Sequence, residues 1–478
     1  MNLRLRVLEA FRWSVASKVI GQLVSWILSL VVARLLTPGD YGLLAEAGVF
    51  IVLLSLVSEF GLGAAVIQQQ QMLSGDVLGQ VFGLVLLVNL ALCVLLVSVS
   101  PLVAGFFNEP RLESIIMVLS SQFILMSFFV MPQSLLQRSL RLKEKSLVEL
   151  FAVLLGGLTS LYLAWNGWGV WSLVWGSLAI TLAKAFGMNL VLPVVLRPTF
   201  SFRGVQRLVT FGGMMTGQRV LWSLYSQSDI FVVAKVLGEE LVGIYTMAMH
   251  VASLPIQKLN GIINEVAFPA FARIQDDPEK VASHFLKGIR LISVFAFPIC
   301  WGLSSIAPEL VTVVLGTKWQ SAAEPVQILA LIMPLLMVSN VLHTAVNGLG
   351  QVRISATTLV IACVLMPLAF VIGTRFGLRG VCFAWLIAYP VVFLTLLWLA
   401  LPIVGVRWTE FFMAMALPAL AGAFTYGAVM ETKLFATGDE GSLVRMLVLI
   451  LVGVLAYSGM LVSAYRDGCR EVLALVRR

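Results

Sequence analysis

Apolar runs of membrane-spanning length recur along almost the whole chain, separated by short polar segments. A helix needs about 20 mostly apolar residues to cross a bilayer, and by that measure the pattern predicts fourteen. Their centres lie near Leu28, Ile51, Leu90, Leu125, Leu155, Leu178, Tyr225, Leu254, Phe297, Pro334, Ala362, Tyr389, Ala419 and Val454. Lipid leaves backbone polar groups no outside partner, and long continuous apolar runs satisfy them as helices. The expected fold is therefore an all-α polytopic membrane protein of about fourteen transmembrane helices.

Polar residues inside these runs fall on helical stripes. In the first predicted helix Lys18, Gln22, Ser25 and Ser29 follow steps of four, three and four, one face of a 3.6-residue repeat. The seventh carries Thr216, Arg219, Ser223 and Ser226, with Gln218 beside them and Asp229 toward one edge. The eighth carries His250, Ser253, Gln257, Asn260 and Asn264, flanked by Lys258 and Glu265, with Pro255 as an expected kink. The tenth carries Asn340, His343, Asn347 and Gln351. Ionisable and amide groups at this depth face a protein interior or a water-filled cavity.

The chain also repeats itself. Gly21-Gln22 with Trp26 returns as Gly217-Gln218 with Trp222, and Ala33-Arg34-Leu35-Leu36 returns as Ala234-Lys235-Val236-Leu237. Each second match leads to a glycine eight residues after its basic residue, Gly42 and Gly243. Duplication in a polytopic membrane protein points to transport, because two similar bundles can rock about a site at their interface. The expected plan is a six-helix lobe over 1–192, a basic amphipathic linker over 193–209, a second six-helix lobe over 210–402, and two extra helices with a tail over 403–478. The paired helices, the first and the seventh, are six places apart in order, so the repeats enter from the same side.

Composition supports the bilayer as solvent: 60% of residues are hydrophobic, 12% are charged, and mean hydropathy is +0.98. The charges are sorted by side. Arg4, Arg6, Arg12, Arg138, Arg141, Lys143, Lys145, Arg197, Arg203, Arg207, Arg273, Lys280, Lys287, Arg290, Arg353, Arg407 and the C-terminal Arg466, Arg470, Arg477 and Arg478 fall on one side. Arg111, Lys318, Arg375, Arg379, Lys433 and Arg445 fall on the other. The richer side is cytoplasmic, which places both termini inside and explains the net charge of +8 without nucleic acid. The linker is expected on the inner headgroups. Asp276-Asp277-Pro278-Glu279 reads as a helix start, and Trp13, Trp165, Trp168, Trp319 and Trp408 read as an interfacial belt. The five cysteines show no paired spacing, and neither a disulfide framework, a metal site nor a cofactor is expected.

Arg219 and Lys18, with Lys258 nearby in the pattern, suit an anion with delocalised charge such as a diphosphate, since a guanidinium can grip two oxygens. The Ser, Asn and Gln positions fit a cavity lining and equally fit hydrogen bonds between helices. Asp229, Glu265 and Glu59 are candidates for coupling to an ion or proton, Asp229 equally for a pairing with a cation such as Arg219. Glu46, Lys184 and equally Glu59 read as structural ion-pair partners. No nucleophile elbow, phosphate-binding glycine loop or paired outer carboxylates are present, so no catalytic residue is named.

Four segments carry a family resemblance: ARLLTPGDYGLLA at 33–45, SEFGLGAAVIQ at 58–68, SDIFVVAKVLGEELVGIYTMA at 228–248 and LPIQKLNGIINEVAFPAFARIQDD at 254–277. In order and spacing the chain resembles the polysaccharide transporter branch of the multidrug/oligosaccharidyl-lipid/polysaccharide flippase superfamily, of the colanic-acid or teichuronic-acid exporter type. The resemblance implies two V-shaped lobes with alternating access in a bacterial cytoplasmic membrane. It also implies flipping of undecaprenyl-diphosphate-linked oligosaccharides for cell-surface polysaccharide assembly, with membrane lipids and other assembly proteins as partners. A small-molecule antiporter of the same superfamily would share the architecture. A polyprenyl-dependent glycosyltransferase or polymerase is the third class.

Overall fold

The computed structural model describes residues 21–22, 24–59, 75–139, 141–193, 197–200, 206–435 and 443–464. Each of the fourteen expected centres falls in a helix. They are α1 (Val24–Leu35), α2 (Pro38–Glu59), α3 (Gly75–Phe107), α4 (Arg111–Arg138), α5 (Leu142–Trp165), α6 (Val170–Val191) and α7 (Gln206–Leu237). After them come α8 (Glu239–Ile274), α9 (Pro278–Ser305), α10 (Ala323–Gly348), α11 (Val352–Thr374), α12 (Gly377–Val404), α13 (Trp408–Phe435) and α14 (Leu443–Ala464). Among the described residues twelve helices are long and apolar enough to cross a membrane. A helical turn, Ala307–Leu310, follows α9.

The chain forms two compact units, 1–243 and 244–478. Helix α7, which heads the second copy of the duplicated sequence, packs with the first unit against α2 and α3. Compactness and duplication thus divide the chain at different places, 243/244 rather than within 193–209.

In the first unit α5 and α6 form a close hairpin, and α4 packs on α3, α6 and α2. In the second, α11 pairs with α12, α9 packs on α10 and α13, and α14 lies on α13. Several polar groups buried by these contacts are satisfied internally. Ser58 donates to the Asn89 side chain, whose amide donates to the Val85 and Ser58 carbonyls. Trp385 donates to the Tyr245 hydroxyl, and Tyr389 donates to Ser339. In hydrocarbon each such group would otherwise be costly.

Local chemistry sets the helix ends that matter below. Thr37 and Asp40 form a reciprocal cap on α2: the Thr37 amide and hydroxyl donate to the Asp40 carboxylate at 2.9 and 2.7 Å, and the Asp40 amide donates back to the Thr37 hydroxyl at 3.3 Å. Pro38 occupies the first helical position, where a missing N–H costs nothing. Gly238, at φ +85°, lets the chain leave α7 and enter α8 at once. Glu239 and Glu240 then sit at the positive end of the α8 dipole. The expected start at Asp277 is present, its carboxylate accepting from the Lys280 amide with Pro278 next in line.

The α1–α2 and α7–α8 turns are the two copies of the duplicated segment, and they pack on each other reciprocally. A Cβ on Gly42 would lie 1.8 Å from the Glu239 carbonyl oxygen, and a Cβ on Gly243 would lie 1.8 Å from the Pro38 carbonyl oxygen. By the sequence match Pro38 corresponds to Glu239 and Gly42 to Gly243. The contact is therefore self-complementary, as at a two-fold interface between identical subunits.

Two expectations change. Trp319 is fully buried instead of joining an interfacial belt, whereas Trp165, Trp168 and Trp408 are exposed. Trp13 lies outside the described residues. The described part of the linker rests on protein: the Thr199 amide donates to the Gly79 carbonyl at 3.0 Å, and the Thr199 carbonyl lies where a Cβ on Gly83 would have to go. The glycines of α3 leave room for an extended strap that the basic and apolar alternation of 193–209 did not reveal.

Candidate functional site

The predicted site residues divide by what the structure describes. Lys18 lies outside the described residues. Arg219 and Gln218 belong to α7, Gln257, Lys258, Asn260, Asn264 and Glu265 to α8, and Glu59 ends α2; their side chains lie outside the described part. Gln22 and Ser25 precede or begin α1 and are half-buried.

Further along α7 the stripe becomes visible. Ser223 is buried, and its hydroxyl has no hydrogen-bond partner. Ser226 is exposed and donates to the Ser223 carbonyl at 3.2 Å. Asp229 is buried, with its carboxylate accepting the Ile230 amide at 2.8 Å. Ten residues separate Arg219 from Asp229, a rise of about 15 Å along one helix. The two thus present charge at different depths of α7.

On α10 the structure joins two of the three predicted residues through one that sequence reasoning missed. Ser355 of α11 donates to the Asn347 side-chain oxygen at 2.8 Å and lies 3.1 Å from Nδ1 of His343. A serine has one proton to give, so Nδ1 of His343 is the donor in the second bond. Asn340 stands a turn away, its carbonyl accepting from Thr344. This cluster reads as a fixed polar joint between α10 and α11 in the second unit.

The charged groups that the structure does assemble were not predicted as sites. At the α1–α2 and α7–α8 end, Arg111 holds Glu109 through Nε at 2.7 Å and Nη2 at 3.1 Å, and Nη2 reaches Glu239 at 2.6 Å. The Arg111 hydrogen bonds keep Glu109 below the ordinary carboxylate range. Glu46, read from sequence as an ion-pair partner, is 1% exposed and makes no ion pair among the described residues. Its Oε2 has no hydrogen-bond partner. In the second unit Glu309, also buried, meets Lys433 at 2.6 Å and Arg445 at 3.4 Å. Positions 46, 109, 111 and 239, or 309, 433 and 445, share no helical stripe, so periodicity could not connect them.

Duplicated helical segments, buried polar stripes and charged joints at the helix ends define a polytopic membrane protein of transporter architecture. The same fold occurs in the lipid II flippase MurJ in its inward closed conformation, at a TM-score of 0.74 over 95% of this chain and 99% of that one, with 14% identity. An inward-facing multidrug resistance MATE family transporter of the MOP superfamily follows at 0.62, covering 88% and 99%, with 15% identity. Residues 31–324 match the family described as "Polysaccharide biosynthesis protein", and the chain belongs to that family. Its relatives include the lipopolysaccharide biosynthesis protein WzxC of Escherichia coli, 28% identical over 98% of both chains. They also include the succinoglycan biosynthesis transport protein ExoT of Rhizobium meliloti, 24% identical over 97% of this chain and 94% of that one.

Proposed function

We propose that this protein moves polyprenyl-diphosphate-linked oligosaccharide units across a bacterial cytoplasmic membrane by alternating access, for cell-surface polysaccharide assembly, without chemically changing them. The observation that carries this reading is the flippase fold over essentially the full chain, with the two copies of its duplicated segment packed on each other. The names of WzxC and ExoT point to polysaccharide biosynthesis and transport, and that of MurJ to a lipid-linked substrate. Moving a charged headgroup through hydrocarbon needs a hydrated, cationic path. Arg219, Lys18 and Lys258 supply it, with Gln22, Ser25, Gln218, Ser223, Ser226, Gln257, Asn260 and Asn264 as polar lining.

Each hydrogen bond to a charged group contributes about 1.5–3 kcal/mol. Arg219→Ala is therefore expected to cut surface polymer by about an order of magnitude, with Lys18→Ala also reduced and Arg219→Lys partly active, since charge survives while the two-oxygen grip is lost. The assay is surface polymer per unit of membrane-inserted protein. Unchanged polymer in Arg219→Ala removes Arg219 from the site.

The basic bias places both termini and the α4–α5 turn in the cytoplasm. Lys143, exposed near the start of α5, is then shielded from an impermeant thiol reagent in intact cells when replaced by cysteine, whereas a cysteine replacing Asp439 is labelled. Labelling of Lys143→Cys overturns this orientation.

A further inference from the structure

Two of the charged residues named above belong to or adjoin the duplicated turns themselves. Glu46 follows Gly42 by one turn of α2, and Glu239 opens α8 after the second copy. Arg111, from the start of α4, joins Glu239 to Glu109. The charges that act on Glu46 are Glu239, Glu109 and Arg111. Two nearby charged groups make contacts of their own. Lys235 of α7 donates to the Phe106 carbonyl and stands over the Phe106 ring, and Asp40 is committed to the Thr37 cap. The α6 helix, whose preceding Gly169 lies beside Asp40, carries only Lys184, about 20 Å further along its axis.

The local charge does not balance. Three carboxylates face one guanidinium, which is already shared by Glu109 and Glu239. A third negative charge on Glu46, buried and with Oε2 unpartnered, would exceed what that one guanidinium offsets. Among the described residues no group of three His, Cys, Asp or Glu is arranged to hold a metal ion. A single proton removes the excess charge and needs no further ligand.

We propose that Glu46 is a proton-binding site and that its proton keeps closed a latch, Glu109–Arg111–Glu239, between the two copies of the duplicated segment. When the segments part, water reaches Glu46 and the proton leaves to solvent; when they close, one proton is taken up. The closed form binds the extra proton, so closure is favoured at low pH and weakens as pH rises. Glu109 and Glu239 gain an opening role in the same step, because ionised Glu46 repels both. The latch rests on the alternating-access reading, but its test requires no substrate.

Spin labels on Ser114→Cys and Glu240→Cys, both exposed and flanking the latch, report the opening in purified protein in nanodiscs, with the five native cysteines replaced by alanine. The distance distribution is followed from about pH 6 to about pH 9, where arginine and unshifted carboxylates keep their charge. The expected result is one short distance at low pH and a growing longer population as pH rises. Glu46→Gln, which keeps the shape and stays neutral, should hold the short distance throughout, and Arg111→Ala should show the long distance even at low pH. A wild-type distance that ignores pH, or a Glu46→Gln profile that follows the wild type, overturns the proton site. A short distance in Arg111→Ala at every pH overturns the latch. Surface polymer in the Arg219 variants decides the flippase reading separately.

Discussion

Glu309→Gln is expected to destabilise the second unit by about 3–5 kcal/mol, the cost of removing one partner from a buried ion pair. Glu309 is 1% exposed at its side chain, and its two cations, Lys433 at 14% and Arg445 at 16%, have little water to turn to. The three residues come from the Ala307–Leu310 turn, from the last turn of α13 and from the first turn of α14. Glutamine preserves volume and can accept one hydrogen bond, but it leaves two positive charges facing each other. The loss should appear as a lower melting temperature in detergent and earlier protease cleavage between α13 and α14. Replacing all three, Glu309→Gln with Lys433→Met and Arg445→Leu, should recover most of it, because the destabilisation comes from uncompensated charge more than from lost attraction. A Glu309→Gln protein that melts with the wild type would mean that the pair is solvated and contributes nothing.

That triad marks a boundary of what the sequence can reveal. Helix number and position were legible because hydrocarbon imposes a length and an apolar composition on each span independently. All fourteen centres, including the polar α8 near Leu254, lie in helices. Stripes within one helix are read from helical periodicity; on α7 Ser223 and Asp229 are buried, whereas Ser226 on the same stripe is exposed. Lys433 and Arg445 were legible only as charges on the outer side of a topology count, which carries no information about whether a side chain is wet or paired. Burial of Glu309 against them depends on where a four-residue turn falls between helices far apart in sequence. Ser355 shows the same limit at smaller scale: its link between His343 and Asn347 exists only because α11 packs beside α10. The duplication disclosed that Gly42 and Gly243 correspond, yet a match between two segments does not say that they touch.

Because they do touch, alanine at either glycine should behave against its helix propensity. Alanine ordinarily stabilises a helix over glycine by about 1 kcal/mol, and Gly48→Ala, on the same helix with nothing within 4 Å of the added methyl, should be neutral or stabilising. Gly42→Ala places its Cβ 1.8 Å from the Glu239 carbonyl oxygen, and Gly243→Ala repeats the clash at Pro38. Neither obstacle is a flexible side chain, so the two backbones must separate, at an overpacking cost of about 1–3 kcal/mol. The melting temperature should fall for each single substitution. It should fall by less than the sum for the pair, since the first separation already makes room for the second methyl. The same separation lengthens the Arg111 to Glu239 reach, so both variants should also carry the longer Ser114 to Glu240 spin-label distance at low pH. Independent, additive losses with an unchanged distance would show that the two glycines pack against separate neighbours, and the reciprocal contact between the duplicated turns would have to be abandoned.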